Sequence, residues 1–317
     1  MRILVITSLP DPHVEMVAEH FQKGIRFVVF DPGSFPYDEE LSFLWDDNTP
    51  LVIIRGGQLT DVMSVWYRKP LLIKPEALPV SNEYRELAFS SYKEMITWFY
   101  SALPDKLWVS DYWNIMRSNS KIYQIQVAHR LGFLLPATLI TSSSNQALAF
   151  VKSRQNVVVK PLNIEFVRKD GKLQAAYAAR LSYSAGLDFS GLKVSPVIFQ
   201  EELQGLDVRV TVVADQVFPC IIEKIGGMKD TLDWRKGFYV GNIVFRRDGE
   251  FPEDLVQKCI QMVGEMGLKF GAFDFIKDIN GDYWFLEINP NGQWGFVEEA
   301  TGMPISRAIA RLLTGEV

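Results

Sequence analysis

Two carboxylates and a carboxamide in the last third of the chain have the types and spacing to hold a hard cation. Residues 271–279 read as a strand, and so do residues 282–289. Between them stands Asn280-Gly281, the strongest two-residue hairpin signal. With those two residues as the turn, Ile279 faces Asp282, Lys277 faces Trp284 and Asp274 faces Glu287. Directly opposed residues project from one side of a sheet. Phe273, Phe275, Trp284, Leu286 and Ile288 then form a core face. Asp274 and Glu287 share the other side with Ile276, Phe285 and Asn289, which lies two residues past Glu287. Like charges directly opposed destabilise a sheet. In partly buried surroundings either one carboxylate protonates or a cation neutralises both. Oxygen donors suit magnesium, which takes few carboxylates and completes its shell with phosphate oxygens. The hairpin alone therefore suggests a magnesium–nucleotide site. The competing reading is a solvated hairpin edge, and the strongly apolar strands, which imply burial on both sides, weigh against it.

Such a hairpin needs other elements to frame it. Residues 3–6 form a continuous apolar run, as expected of a strand buried on both faces. Asp11-Pro12 opens a helical pattern with Val14, Val17, Ala18 and Phe21 on one face. Further apolar runs cover 26–30 and 51–54, so the N-terminal part reads as an open α/β sheet. No GxGxxG follows the first strand, so a dinucleotide fingerprint is missing. Residues 64–70 read as another strand, closed by Pro70. A long helix is expected over 82–103, with Leu87, Tyr92, Met95, Phe99 and Tyr100 as a packing stripe. Another covers 118–131 and stops at Gly132. From 137 to 199 short strands alternate with one helix near 145–152, and Asp170-Gly171 marks a hairpin turn. Strands near 208–214, 216–224 and 242–246 follow, then a helix over 254–266, the hairpin, and a final helix near 304–313. Changes of pattern fall near 115 and 200. No internal repeat or low-complexity segment is present.

Composition bounds the function. The chain has 317 residues, 48% hydrophobic and 22% charged, which allows two or three domains with an ample core. The net charge of −5 gives no global case for nucleic acid or an anionic membrane as partner. Cys220 and Cys259 stand far apart, which argues against a disulfide framework, and no CxxC pattern exists. His13, His20 and His129 lack zinc-ligand spacing. The first residues do not form a signal peptide, and no apolar run approaches the length that spans a bilayer. The expectation is a soluble, cytoplasmic protein.

At the hairpin the sequence resembles the ATP-grasp superfamily, whose magnesium triad the Asp274…Glu287-x-Asn289 set matches. The run Glu287-Ile288-Asn289-Pro290-Asn291-Gly292-Gln293-Trp294 is similar to the ATP-grasp ligases that cross-link ribosomally made peptides, the microviridin-type or graspetide ligases. Val65-Trp66-Tyr67-Arg68-Lys69-Pro70, Phe199-Gln200-Glu201-Glu202 and Asp233-Trp234-Arg235 point the same way, and the resemblance spans most of the chain. It implies an α/β ATP-grasp fold. An N-terminal domain would cover 1–115, and two α+β lobes, 116–199 and 200–317, would sandwich ATP. By the same resemblance Lys160 and Lys121 reach the nucleotide phosphates. Gln200, Glu201, Glu202 and Leu203 are the linker whose backbone reads the adenine edge, and Asp207 lies near the ribose or triphosphate. Asp274, Glu287 and Asn289 hold Mg2+. Arg209 and Arg235 are the candidate catalytic arginines, binding the substrate carboxylate or the transferring phosphate through paired hydrogen bonds, or else serving as structural ion-pair residues. One departure stands out: no glycine appears between Lys160 and Gly171, where many ATP-grasp proteins place a glycine-rich lid.

The chemistry so implied is attack of a carboxylate on the γ-phosphate of ATP, then capture of the acyl phosphate by a hydroxyl or amine. In the subfamily both groups belong to one precursor peptide, whose leader docks on the enzyme, and the enzyme is a homodimer. Two alternatives share the ATP site. One is a ligase of a free amino acid or small peptide. The other is a regulatory module that binds nucleotide without turnover, against which the complete Lys160, Asp274, Glu287 and Asn289 set argues.

Overall fold

In a computed structural model, the described residues are 1–316 apart from 36, 47–48, 155, 163–165, 170–171, 176–177, 229–230 and 239–240. The N-terminal apolar run becomes β1 (Arg2–Thr7), an inner strand. After it come α1 (Pro12–Ala18), β2 (Arg26–Phe30), β3 (Leu41–Asp46), β4 (Thr49–Ile54), β5 (Gly57–Gln58), β6 (Val62–Lys69), α2 (Arg85–Phe99) and β7 (Leu107–Val109). The parallel sheet runs β2-β1-β6-β7. Alternation sends Leu4, Ile6, Val65 and Tyr67 into one core and Ile3, Val5 and Trp66 into another, which is why the run is apolar without interruption.

Three expectations fail here for local reasons. The run 51–54 does not join the parallel sheet. It is β4 of a separate antiparallel sheet, β3-β4-β5. Arg55 and Gly56 both take positive φ, 49° and 72°, and this tight turn returns the chain as a hairpin, whereas a parallel strand needs a long crossover. In α2 the buried residues are Tyr92, Ile96 and Phe99. Leu87, assigned to the same stripe, is 67% exposed, because five residues of helix carry it about 140° away from Tyr92. Likewise α1 buries Val14 and Val17 but ends at Ala18, so Phe21 lies beyond it.

After a separate short helix, α3 (Tyr112–Ser118), the helix expected over 118–131 is present as α4 (Lys121–Arg130). Ser120 caps the second by accepting the Tyr123 N–H, so the chain bends at a cap. Gly132 ends it with φ 73°, as a left-handed C-terminal residue should. Next come β8 (Thr138–Thr141), α5 (Ser144–Arg154), β9 (Asn156–Pro161), β10 (Phe166–Lys169), β11 (Lys172–Ala175), β12 (Ala179–Ser182) and β13 (Val197–Glu201). The antiparallel sheet β12-β9-β13-β8 packs Val157 and Phe199 against Ala147 and Val151 of α5. β10 and β11 form a hairpin; the Asp170-Gly171 turn expected between them lies outside the described residues, as do Asn163, Ile164 and Glu165 of the stretch after Lys160.

The remainder comprises β14 (Leu206–Val213), β15 (Gln216–Lys224), α6 (Arg235–Phe238), β16 (Ile243–Arg247), α7 (Glu253–Glu265), β17 (Phe270–Lys277), β18 (Tyr283–Asn289), α8 (Gly295–Thr301) and α9 (Ile305–Thr314). Five antiparallel strands run β16-β15-β14-β17-β18. One face lays Val208, Val210, Val212, Phe273 and Phe275 into a core with Leu255, Cys259 and Met262 of α7. The other face is apolar only at one end, where Val213, Phe218, Cys220, Phe270 and Ala272 join α9 and the parallel sheet. Among the described residues no helix is long and apolar enough to cross a membrane, and Cys220 and Cys259 are buried free thiols.

The hairpin of β17 and β18 keeps the expected opposition of Asp274 and Glu287 but not the register beyond it. A bulge after Asp274 pairs Phe275 with Phe285, Ile276 with Trp284 and Lys277 with Tyr283. Leu286 is the extra residue, and one extra residue reverses the faces. Phe285 therefore enters the core beside Phe273 and Phe275, while Trp284 and Leu286 are only partly buried. The turn is also wider than two residues. Asp278 accepts the Asn280 and Asp282 N–H groups through its side chain and the Gly281 N–H through its carbonyl, and Gly281 has φ 87°.

Between β13 and β14, Gly205 passes so close to β17 that an added Cβ would lie 2.2 Å from the Lys277 carbonyl oxygen. That atom is backbone and has no free end to swing away. Gly205→Ala is expected to lower stability by roughly 1–3 kcal/mol, measured by urea unfolding; an unchanged midpoint would show that the two strands separate freely.

Candidate active site

The bare end of the five-stranded sheet carries a row of charge. Arg209 of β14, Asp274 of β17 and Glu287 of β18 are successive partners across three strands. They therefore project from one face. The repulsion between the two carboxylates is met from both sides: Arg209 Nε lies 3.3 Å from Asp274 Oδ1, and Lys121 Nζ lies 2.6 Å from Glu287 Oε2. Lys121 is the first residue of α4, placed there by the Ser120 cap.

The compensation is unequal. Burial pushes Asp274 up from 3.8 to about 6, with Arg209 opposing the rise and Glu287 adding to it. Burial also works against ionised Glu287, but the charge and hydrogen bond of Lys121 prevail and bring it down from 4.5 to about 2. One carboxylate is thus held charged while its neighbour resists charging, which is how a closely spaced acidic pair behaves without a shared cation.

The antiparallel sheet on the other side of the cleft contributes Lys160. α5 covers Val157, Val159, Val197 and Phe199, and alternation turns Lys160 and Gln200 to the opposite face. Lys160 Nζ donates to Gln200 Oε1 at 2.7 Å. Burial pushes its ammonium below the usual lysine range; the charges of Glu287, Asp274 and Asp233 pull it back, and Lys121 pushes it further down. A single cluster therefore joins Lys121, Lys160, Arg209, Asp274 and Glu287 from three separate parts of the chain.

The other expected residues surround this cluster. Asp207 pairs with Lys224 at 2.8 Å, and burial raises its carboxyl against the pull of that lysine. Arg235 grips Asp233 with two parallel bonds of 2.8 and 2.6 Å, so its guanidinium is already half engaged in an ion pair. Asn289 is exposed, two residues past Glu287 on the same strand, and its Oδ1 accepts the Asn291 N–H. In the linker, the Glu201 N–H donates to the Ala137 carbonyl and its side chain accepts the Ala137 N–H. Glu202 is paired with Arg180 at 2.6 Å instead of facing water alone, and Leu203 is half-buried.

Arg209 is the residue whose surroundings ask for a ligand. It is buried; its Nε meets Asp274 only as the 3.3 Å ion pair, without hydrogen-bond geometry, and its Nη1 finds no acceptor among the described residues, a costly arrangement for a cation. Its guanidinium carbon sits 6.0 Å over the Trp234 ring. Gly292 brings the chain so close that an added Cβ would stand 3.4 Å from Arg209 Nη1 and 2.3 Å from Ala272 Cβ. Unpartnered donors beside two carboxylates and two lysines suit an anion bridged to cations. The donor set fits magnesium as well. Among the described residues no group of three His, Cys, Asp or Glu side chains stands ready to hold a metal. Two carboxylates and a carboxamide match an ion that completes its shell from phosphate and water.

Sequence reading missed the residues that fix the loop beyond Asn289. Arg68, buried at the end of β6, donates to the Asn291 carbonyl at 3.2 Å and lies 3.6 Å from Asp11. The Gly295 N–H donates to His13 Nε2 at 3.2 Å. The other ring nitrogen therefore carries the proton and donates to Asp11 Oδ1 at 2.9 Å. Burial opposes ionised Asp11, but His13, Arg68 and Thr7 overcome it and hold the carboxyl at about 2. The signal was present in Val65-Trp66-Tyr67-Arg68-Lys69-Pro70, where a charged residue sits inside an apolar strand.

The raised Asp274 carboxyl has a stability consequence. Between 3.8 and about 6 the folded protein binds more protons than the unfolded chain, so stability falls as pH rises through that window. Asp274→Asn removes the effect. The variant is expected to gain about 1–3 kcal/mol on the parent between pH 4 and pH 7 in the absence of nucleotide, read from denaturation midpoints. A constant difference across that range would show that Asp274 ionises freely.

No family model and no curated protein sequence matches the chain, but solved structures do. A Chryseobacterium gregarium RiPP-associated ATP-grasp ligase, in complex with ADP and a leader and core peptide, superposes with a TM-score of 0.90 at 24% identity, covering 100% of this chain and 97% of the other. The macrocyclase MdnC from Microcystis aeruginosa MRC, bound with precursor peptide MdnA, gives 0.84 at 23% identity over 99% and 100%. The ATP-grasp ligase PsnB, complexed with minimal precursor, Mg and ADP, gives 0.78 at 21% identity over 99% and 96%. The likeness covers 96–100% of each chain, and it bears out the α/β architecture implied by the resemblance: the chain has the ATP-grasp fold.

Proposed function

We propose that the chain is an ADP-forming ligase that activates side-chain carboxylates of a ribosomally made precursor peptide as acyl phosphates and joins them to hydroxyls or amines of the same peptide. The observation that carries this reading is the row Arg209–Asp274–Glu287, closed by Lys121 and faced by Lys160. The solved structures that share the fold were determined with ADP, with Mg and with precursor peptides, which directs the choice of substrates.

Lys121 and Lys160 bind the ATP phosphates from two sides, one from a helix and one from a strand. Backbone groups of Gln200, Glu201, Glu202 and Leu203 orient the adenine, and Asp207 stands toward the ribose and triphosphate. Asp274, Glu287 and Asn289 hold Mg2+, which when bound neutralises charge on the phosphate oxygens. Arg209 holds the attacking carboxylate, or the phosphoryl group as it transfers, with the guanidinium N–H groups that Asp274 leaves unsatisfied. Arg235 supports it from the Asp233 ion pair. The attacking oxygen forms a bond to the γ-phosphorus as the bond to ADP breaks. The nucleophile then adds to the acyl carbon, and phosphate leaves with that oxygen. Segments 1–115, 116–199 and 200–317 form the N-terminal domain and the two grasping lobes, and the protein works as a cytoplasmic homodimer.

The test is to incubate the protein with ATP, Mg2+ and any short acidic, Ser/Thr/Lys-containing peptide found encoded beside its gene, and to follow intact mass. The loss of one water per bond is expected, and it should vanish in Asp274→Ala or Glu287→Ala. Lys160→Met is expected to lower kcat/KM for ATP by roughly 100-fold. ADP release only on addition of a free amino acid would replace the peptide substrate by a small one. Nucleotide binding without turnover on any substrate would overturn the ligase reading.

A further inference from the structure

Strand β18 lies at the edge of its sheet, so half of its backbone groups have no strand to bond. At Phe285 the edge is closed by backbone, because the Phe285 N–H donates to the Leu134 carbonyl at 2.9 Å. At Ile288 it is closed by one side chain. Gln124 of α4 is only 1% exposed. Its Oε1 accepts the Ile288 N–H at 3.2 Å, and its Nε2 donates to the Ile288 carbonyl at 2.8 Å. The same Nε2 donates to the Ser118 carbonyl, in the last residue of α3, at 2.7 Å. The carboxamide thus does for Ile288 what a peptide unit of a neighbouring strand would do, and uses three of its four bonding positions in the process.

Two of the candidate site residues lie directly beside this contact. Lys121 precedes Gln124 by three residues on α4, about one turn, and so shares its face. Glu287 precedes Ile288 by one. A two-point hydrogen bond fixes both the distance and the rotation of α4 against β18. Neither can shift without breaking bonds that are buried and have no water to replace them.

We infer that Gln124 is a positioning residue, which sets Lys121 at its working distance from Glu287 and so holds the phosphate-binding lysine in register with the metal-binding carboxylates. The inference rests on the nucleotide-site reading of Lys121 and Glu287, and it adds the residue that couples them. Glutamine suits the position because it supplies a donor and an acceptor at one fixed separation. A methionine of similar length supplies neither.

The test measures Mg·ADP affinity by calorimetry for the parent, Gln124→Met, Lys121→Met and the double variant, with thermal unfolding and precursor-peptide affinity alongside. Gln124→Met is expected to bind Mg·ADP about tenfold more weakly or worse, with peptide affinity within about twofold of the parent. The double variant should be no weaker than Lys121→Met by more than about twofold, because the glutamine acts through that lysine. Parent-like affinity in Gln124→Met, or losses that add, would overturn the inference while leaving the nucleotide site intact. A parent that does not bind Mg·ADP at all would instead sink the functional reading. If Gln124→Met does not fold, Gln124→Glu keeps the shape and the acceptor but withdraws both donated bonds, and the same outcomes apply. If neither folds, amide exchange of Ile288 in the parent decides. It should slow as Mg·ADP saturates, and exchange indifferent to nucleotide would contradict the coupling.

Discussion

Asp274 and Glu287 are held opposite one another on adjacent strands, and their repulsion has to be met from outside the hairpin. Two like carboxylates at this spacing are tolerated only if one takes up a proton or cations reach them. The cations come from three distant parts of the chain: Arg209 from the neighbouring strand, Lys121 from the start of a helix, Lys160 from the facing sheet. The site is therefore a meeting point that exists only when the two sheets and the helix between them are folded together. Burial raises one carboxyl while Lys121 brings the other down, so the protein's own cations compensate the pair unequally.

The surrounding architecture reads as support for this one row. The opposite face of the five-stranded sheet packs Val208, Val210, Val212, Phe273 and Phe275 against α7, which makes the polar end a rigid floor. The parallel sheet supplies no group to the charge cluster itself. Through Arg68, Asp11 and His13 it grips the loop that leaves Asn289. Such buried bonds fix the position of that loop relative to the row, because none of them can be given up to water. Asp274 is also a place where stability is given up for a site, since its ionised form is disfavoured in the fold that needs it.

The sequence carried most of this, but unevenly. Apolar runs located β1, β2 and β6, and Asn280-Gly281 located the hairpin. The Asp274–Glu287 opposition survived because two departures cancel: the wider turn shifts the pairing by one residue and the bulge at Leu286 shifts it back. The register failed farther along because a bulge at Leu286 reverses every later face, and nothing in a two-residue period announces an extra residue. Leu87 was assigned to a buried stripe by its apolar character, although helical angle put it outside. Lys121 and Lys160 could be named only through the family resemblance, since a lysine at a strand end or helix start is ordinarily solvated. Gln124 and His13 were not legible at all. Their roles depend on partners more than 150 residues away in sequence, and no local pattern encodes such a distance.

The most direct test of the account is the titration of the Asp274 carboxyl by carbon NMR, with and without Mg·ADP. In the free protein it should titrate near 6. With Mg·ADP bound, cations shared by the two carboxylates should drive that titration well below the ordinary aspartate range. A carboxyl that titrates alike in both states would mean that no ion bridges the pair, and the row across the sheet would then have to be explained as structure alone.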